Sequence, residues 1–98
     1  MSLSHRRIGS GPPLVLIHGI GSRWQVWDPV FEPLARAREV IAIDLPGFGA
    51  SPPPPPGTRA GAGSLTRLVA QFLDELGLQA PHVAGNSLGG QIALELAG

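Results

Sequence analysis

The chain contains no cysteine and no tyrosine among its 98 residues, and only 14% of them are charged. Without cysteine there can be no disulfide, no thiolate nucleophile and no thiolate metal site. The three histidines, His5, His18 and His82, are scattered along the chain and form no metal-ligand spacing with a carboxylate. We therefore expect no metal and no cofactor.

An excess of charge of one sign is also missing. Seven basic and seven acidic residues give a formal net charge of zero, so nothing electrostatic favours nucleic acid or a membrane as a partner. No apolar run approaches the roughly 20 residues of a membrane-spanning helix. Arg6-Arg7 resembles a twin-arginine signal only faintly, because the apolar segment after it is short and broken by Gly and Pro. We expect a cytoplasmic protein.

What the sequence does contain is an alternation of strand and helix patterns. Pro13 to His18 and Glu39 to Asp44 are largely apolar runs, typical of strands buried on both faces of a parallel sheet. Pro81 to Ala84 is a third, shorter strand, and the weak alternation of Leu3 to Ile8 indicates an edge strand. The order predicts an α/β fold whose mostly parallel sheet carries helices on both faces.

Three helices are predicted between and after these strands. The first begins near Trp24 and is short or broken, because Pro29 and Pro33 interrupt it. The second has the clearest helical spacing, with Ser64 placed to cap its start and Gly77 its end; its apolar residues are Leu65, Leu68, Val69, Phe72, Leu73 and Leu76. The third covers the last residues of the chain.

Five consecutive prolines occupy residues 52–56. They favour an extended polyproline II loop without helix or ladder hydrogen bonds. Such a segment could dock in an aromatic groove of a partner, but an inert surface loop is the preferred interpretation.

Three short segments depart from the plain strand and helix patterns, and each follows a predicted strand directly. They are His18 to Gly21, Asp44 to Gly49, and Gly85 to Gly89. The carboxyl ends of parallel strands share one edge of a sheet, where open α/β sheets bind their ligands. We therefore expect the three segments to meet in space.

Gly85 to Gly89 has the pattern Gly-x-Ser-x-Gly at a strand-to-helix junction. A serine at such a junction sits on a sharp, strained turn that exposes its hydroxyl. A Cβ atom two residues before or after the serine would clash there, and Gly85 and Gly89 fill those positions.

Together the three segments resemble the motifs of the α/β-hydrolase family: the oxyanion loop, the Asp-x-Pro-Gly-x-Gly turn and the nucleophile elbow. The resemblance extends from about Ile8 to Ala97. It implies a serine hydrolase that cleaves an ester or related small-molecule acyl substrate. Ser87 would be the nucleophile, and the backbone N–H groups of Ile20 and Leu88 the oxyanion donors. Supporting roles fall to His18, Gly19, Gly85 and Gly89.

Several single residues allow a second interpretation. His18 could act as a general base, but the resemblance implies that it holds the oxyanion loop. Asp44 is expected to fix its own turn rather than serve as the catalytic acid. Trp24 and Trp27 are expected to pack rather than to form a substrate platform. His82 lies at the wrong end of its strand to reach Ser87.

A nucleotide-binding loop is a competing hypothesis, because Gly19-Ile20-Gly21 follows a strand. The dinucleotide pattern needs a third glycine where Trp24 stands, and no Gly-Lys-Ser/Thr stretch supplies a phosphate loop. Family members that open epoxides or displace halide use a carboxylate as the nucleophile, so the serine favours acyl chemistry.

The family orders its triad as nucleophile, acid and histidine along the chain. Here only the serine is present, and the chain ends at Gly98. Met1 resembles a natural start, so we expect residues 1–98 to be the N-terminal part of a single hydrolase domain that lacks its acid and its histidine. The alternative is a catalytically inert product, or a protein that binds without catalysis.

Overall fold

A computed structural model describes all of residues 1–98. Its four strands are β1 (His5–Ile8), β2 (Pro13–Ile17), β3 (Glu39–Ile43) and β4 (His82–Gly85), in one sheet of order β1-β3-β2-β4. β2 pairs in parallel with β3 and β4, and β1 pairs antiparallel with β3. The predicted mostly parallel sheet is confirmed, with β1 at one edge and β4 at the other.

Helices cover both faces of this sheet, as predicted: α1 (Asp28–Ala35) on one face, α2 (Ala62–Glu75) and α3 (Leu88–Ala97) on the other. Successive side chains of a strand point to opposite faces, so β2 and β3 supply both cores. The first core contains Leu14, Leu16, Phe31, Val40 and Ala42. The second contains Val15, Ile17, Ile41, Ile43, Val69, Phe72, Leu73 and Ile92, among others.

The segment before β3 is broken, as its prolines predict. Trp24–Trp27 forms a short 3₁₀ helix, and α1 follows with Pro29 near its start and Pro33 inside it. Both tryptophans pack against the core under α1, which is the packing role expected of them. The indole Nε1 of Trp27 is buried without a hydrogen-bond partner.

The predicted cap of α2 is wrong. The helix begins at Ala62, and its N-cap is Gly61, whose carbonyl accepts the N–H of Leu65 at 3.4 Å. Ser64 therefore lies inside the first turn, where its hydroxyl accepts a weak hydrogen bond from Arg67 at 3.5 Å instead of capping. The apolar periodicity starts only at Leu65, so the preceding small residues gave no signal of the earlier start.

The end of α2 agrees with the prediction. Gly77 has φ +77°, and the N–H of Leu78 reaches back to the carbonyl of Leu73 at 3.2 Å, which is the hydrogen bond of a Schellman ending.

The proline segment forms neither helix nor strand, as expected. Its first residue is bonded to the turn that follows β3: the carbonyl of Pro52 accepts the N–H of Gly47 at 2.8 Å. None of the three helices has the length and apolar character needed to cross a membrane. The cytoplasmic location stays a prediction.

Candidate active site

The three segments singled out in the sequence meet at the edge where β2, β3 and β4 end. The N–H of Asn86 donates to the carbonyl of Ile17 at 3.2 Å, which ties the segment after β4 to the end of β2. The N–H of Leu45 donates to Nε2 of His18 at 3.0 Å, which ties the segment after β3 to the segment after β2. Segments far apart in sequence thus form one cluster of loops.

Ser87 stands on a strained turn between β4 and α3. Its backbone has φ +58° and ψ −118°, and Ala80 is the one other non-glycine residue with positive φ. Such a conformation costs about 1–3 kcal/mol and persists only where the surroundings fix it. The Ser87 hydroxyl forms no hydrogen bond to the helix that it precedes. Ser87 is also exposed to solvent.

The glycines on either side of Ser87 allow close packing. A Cβ on Gly85 would lie 2.6 Å from the amide nitrogen of Gly90, and a Cβ on Gly89 would lie 2.5 Å from the carbonyl oxygen of His18. The first clash is between β4 and α3, as expected from the sequence. The second is with the end of β2, a neighbour that the sequence did not indicate.

The loop after β2 lies directly beside Ser87. A Cβ built on Gly19 would lie 3.4 Å from the Cβ of Ser87. Ile20 follows, with its side chain 74% exposed and its N–H not bonded to another backbone group. Leu88 is the first residue of α3, where an N–H has no acceptor within the helix. The oxyanion roles of Ile20 and Leu88 stay predictions.

His18 is fully buried, and both of its ring nitrogens contact the backbone. Nε2 accepts the N–H of Leu45, so Nδ1 carries the proton and donates to the carbonyl of Gly19 at 2.7 Å. The ring also meets Phe48 edge to face, with centroids 5.5 Å apart. No ring nitrogen of His18 is left for the Ser87 hydroxyl.

Asp44 is 1% exposed and holds two loops through its carboxylate. Oδ2 accepts the N–H of Ala50 at 2.9 Å, which fixes its own turn. Oδ1 accepts the N–H of Trp24 at 2.6 Å, which ties that turn to the start of the 3₁₀ helix after the loop beside Ser87. Sequence reasoning missed this second bond, because nothing local pairs residues 24 and 44.

Ser51 is a further residue that sequence reasoning missed. Its buried hydroxyl donates to the carbonyl of Asp44 at 2.7 Å and accepts the N–H of Ser4 at 2.9 Å. It thus anchors the turn after β3 to the N-terminal segment. The only sequence feature that marks Ser51 is its position directly before the five prolines.

The other two histidines lie away from Ser87. His82 begins β4, at the end of the strand opposite Ser87, and its ring contacts Arg38. His5 lies in β1, three strand positions from β4 or about 14 Å, and its Nδ1 contacts the carbonyl of Leu3. No histidine of the chain is placed to take a proton from Ser87.

Comparison with known proteins decides the family. A family model of the alpha/beta hydrolase fold matches residues 12–98. The chain belongs to the α/β-hydrolase family. It is 39% identical over 97 residues to a pimeloyl-[acyl-carrier protein] methyl ester esterase of Aeromonas salmonicida, covering 99% of this chain and 36% of that protein. It is 40% identical over 93 residues to a 2-hydroxy-6-oxo-2,4-heptadienoate hydrolase of Pseudomonas putida, covering 92% and 33%.

Solved α/β-hydrolase structures agree. A marine microorganism esterase superposes with a TM-score of 0.90 at 26% identity, covering 99% of this chain and 36% of that one. An alpha/beta hydrolase fold protein from Burkholderia ambifaria gives 0.84 at 34% identity, covering 95% and 34%. The chain therefore spans about a third of the length of these relatives.

Proposed function

We propose that this chain carries the nucleophile and the oxyanion donors of a serine hydrolase, with Ser87 as the nucleophile. The observation that carries the proposal is the backbone of Ser87. The residue is held at positive φ, its hydroxyl is not used to cap α3, and Gly19 lies so close that a Cβ built on it would contact the Cβ of Ser87. A structural turn serine would be expected to bond its own helix.

The proposed reaction is acyl transfer. Ser87 Oγ attacks the carbonyl carbon of an ester, a general base takes the hydroxyl proton, and the carbonyl oxygen becomes an oxyanion. Collapse of this tetrahedral intermediate breaks the bond to the alcohol, which leaves with the proton. Water then cleaves the acyl–serine ester by the same steps.

The oxyanion would lie between the N–H groups of Ile20 and Leu88. Neither N–H donates a hydrogen bond to another backbone group. One oxyanion donor typically contributes about 2.7–4 kcal/mol to transition-state stabilisation. The start of α3 adds positive potential at the same point.

The contacts of His18 support a positioning role. Because Nδ1 bonds the carbonyl of Gly19, the ring fixes the peptide just before Ile20. Its second nitrogen bonds Leu45, so the loop is anchored to the turn after β3. His18 would therefore hold the oxyanion loop rather than act as the base.

The substrate class follows from the nucleophile. A serine attacks acyl carbon, and two relatives are named as a methyl ester esterase and as a hydrolase. We propose an ester or related small-molecule acyl substrate. The general base and its carboxylate are proposed to come from chain beyond Gly98, since no histidine of residues 1–98 reaches Ser87.

The test is labelling of a protein that contains this segment followed by the rest of a hydrolase domain. A fluorophosphonate probe should modify Ser87, and Ser87→Ala should lose both labelling and ester cleavage while its circular dichroism spectrum stays unchanged. Loss of a triad nucleophile typically lowers turnover about a million-fold.

Ser22→Ala is the matched control, because Ser22 lies in the same cluster of loops and its N–H, not its hydroxyl, bonds Gly19. This variant should label and turn over as the wild type does. Labelling at a serine other than Ser87, or undiminished cleavage by Ser87→Ala, would contradict the assignment and leave the non-catalytic alternative.

A further inference from the structure

A small polar cavity lies where the proline segment meets the start of α2. Its volume is about 300 Å³, and Leu68 is its one hydrophobic lining residue. The polar side chains that line it are Thr58, Arg59, Ser64, Arg67 and Gln71. The cavity is separate from the cluster of loops around Ser87, and the proposed function makes no use of it.

The charge in this cavity is positive and is not neutralised by the protein. Arg6 and Arg7 form ion pairs with carboxylates, whereas Arg59 and Arg67 form none. No acidic residue lines the cavity, and the first turn of α2 contains none. Arg59 and Arg67 therefore line one cavity that contains no counter-charge.

Each exposed arginine adjoins a hydrogen-bonded residue. Ser64, which is 7% exposed, accepts a hydrogen bond from Arg67 at 3.5 Å, so a buried hydroxyl faces the guanidinium. Next to Arg59, the hydroxyl and the N–H of Thr58 both donate to the carbonyl of Pro55, at 2.6 and 3.1 Å. The stiff proline segment thus fixes the backbone from which Arg59 projects.

We propose that this cavity binds the phosphate group of a small molecule, as inorganic phosphate or as a phosphate monoester. A guanidinium presents its N–H groups as a planar fork that matches phosphate oxygens, and two of them suit a group of charge near −2. Ser64 lines the same cavity, and its O–H offers a further donor.

The experiment titrates inorganic phosphate into the 98-residue chain at constant ionic strength and measures the ³¹P linewidth, a signal that self-association of the chain does not abolish. Saturable broadening is expected for the wild type. Arg59→Gln and Arg67→Gln should each weaken binding about tenfold, because one hydrogen bond to a charged group is worth roughly that factor. Arg36→Gln, which removes an exposed arginine at the end of α1, should bind as the wild type does.

Two further ligands test the chemical class. Phenyl phosphate should compete with inorganic phosphate, whereas benzoate at the same concentration should not. Tighter binding of phenyl phosphate would identify a monoester as the ligand, and equal binding would identify the phosphate group alone. Broadening that does not saturate, equal weakening by Arg36→Gln, or equal competition by benzoate would overturn the proposal.

Discussion

The buried carboxylate of Asp44 holds together two of the loops around Ser87. Its carboxylate accepts one N–H from its own turn and one from Trp24, twenty residues earlier in the chain. A buried N–H that loses its acceptor costs about 1–3 kcal/mol. The arrangement of two loops is therefore sensitive to one change of functional group.

Asp44→Asn should lower the free energy of unfolding by about 1–3 kcal/mol. Asparagine keeps the shape but turns an NH₂ group toward Trp24 or Ala50, so one backbone N–H loses its acceptor. Thermal denaturation followed by circular dichroism measures the loss. Asp74→Asn, on the exposed side of α2, makes the same substitution and should change stability little; equal loss in both variants would argue against the clamp.

Gly89→Val tests the close approach behind Ser87. The new side chain would collide with the carbonyl oxygen of His18, which a Cβ would approach to 2.5 Å. Relieving that clash should cost about 3 kcal/mol of folding free energy, or displace the loop and with it any activity of Ser87. The variant removes no chemical group, so a loss reports geometry alone.

Gly63→Val is the control for this prediction, because a Cβ on Gly63 has no atom within 4 Å. Valine there should leave the free energy of unfolding unchanged or raise it slightly, because valine has a somewhat higher helix propensity than glycine. If Gly89→Val is as stable and active as the wild type, Ser87 does not stand on a tight turn.

At the scale of elements, replacing glycine by alanine at two positions near the start of α2 should have opposite effects on stability. Gly61 is the N-cap at φ +123°, whereas Gly63 lies within the first helical turn, and neither would bring a new Cβ near other atoms. Any difference between alanine variants at the two positions is therefore conformational.

Gly63→Ala should raise the free energy of unfolding by about 0.5–1 kcal/mol, because alanine loses less backbone entropy in a helix. Gly61→Ala should lower it by about 1–3 kcal/mol, because a side chain strains this backbone conformation. Chemical denaturation of both variants gives the comparison. Equal shifts of the same sign would show that the helix does not start at Ala62.

At the scale of the whole molecule, β4 forms an open edge of the sheet. β2 and β3 are buried along most of their length, while β4 has its first and last residues exposed and no strand on its outer side. Beside it, α2 and α3 border a mostly apolar cavity of about 630 Å³, lined by Leu73, Leu78, Val83 and Leu96 among others. An open edge next to apolar surface invites association.

The 98-residue chain should therefore self-associate as its concentration rises, which sedimentation velocity measures. Ala97→Lys places a charge beside the apolar cavity and should weaken association, whereas Ala37→Lys, on an exposed loop after α1, should not. A monodisperse monomer at high concentration, or equal effects of the two lysines, would contradict this expectation.

The sequence by itself determined the sheet, the layers and the place of the loop cluster. Short continuous apolar runs bounded by turn residues are typical of strands covered on both faces, and the alternating order of strands and helices favours parallel pairing. Parallel strands end at one edge, so the segments at His18, Asp44 and Ser87 had to lie together.

Only the tertiary structure decided which atoms meet at that edge. The bond from Trp24 to Asp44, the two roles of Ser51 and the approach of Gly89 to the end of β2 join residues with no local relation in sequence. The sequence predicts a later start of α2 than the structure shows, because the apolar periodicity of the helix begins only at Leu65. Sequence patterns record which face of an element is apolar, whereas hydrogen bonds between loops arise only once packing has fixed their separation.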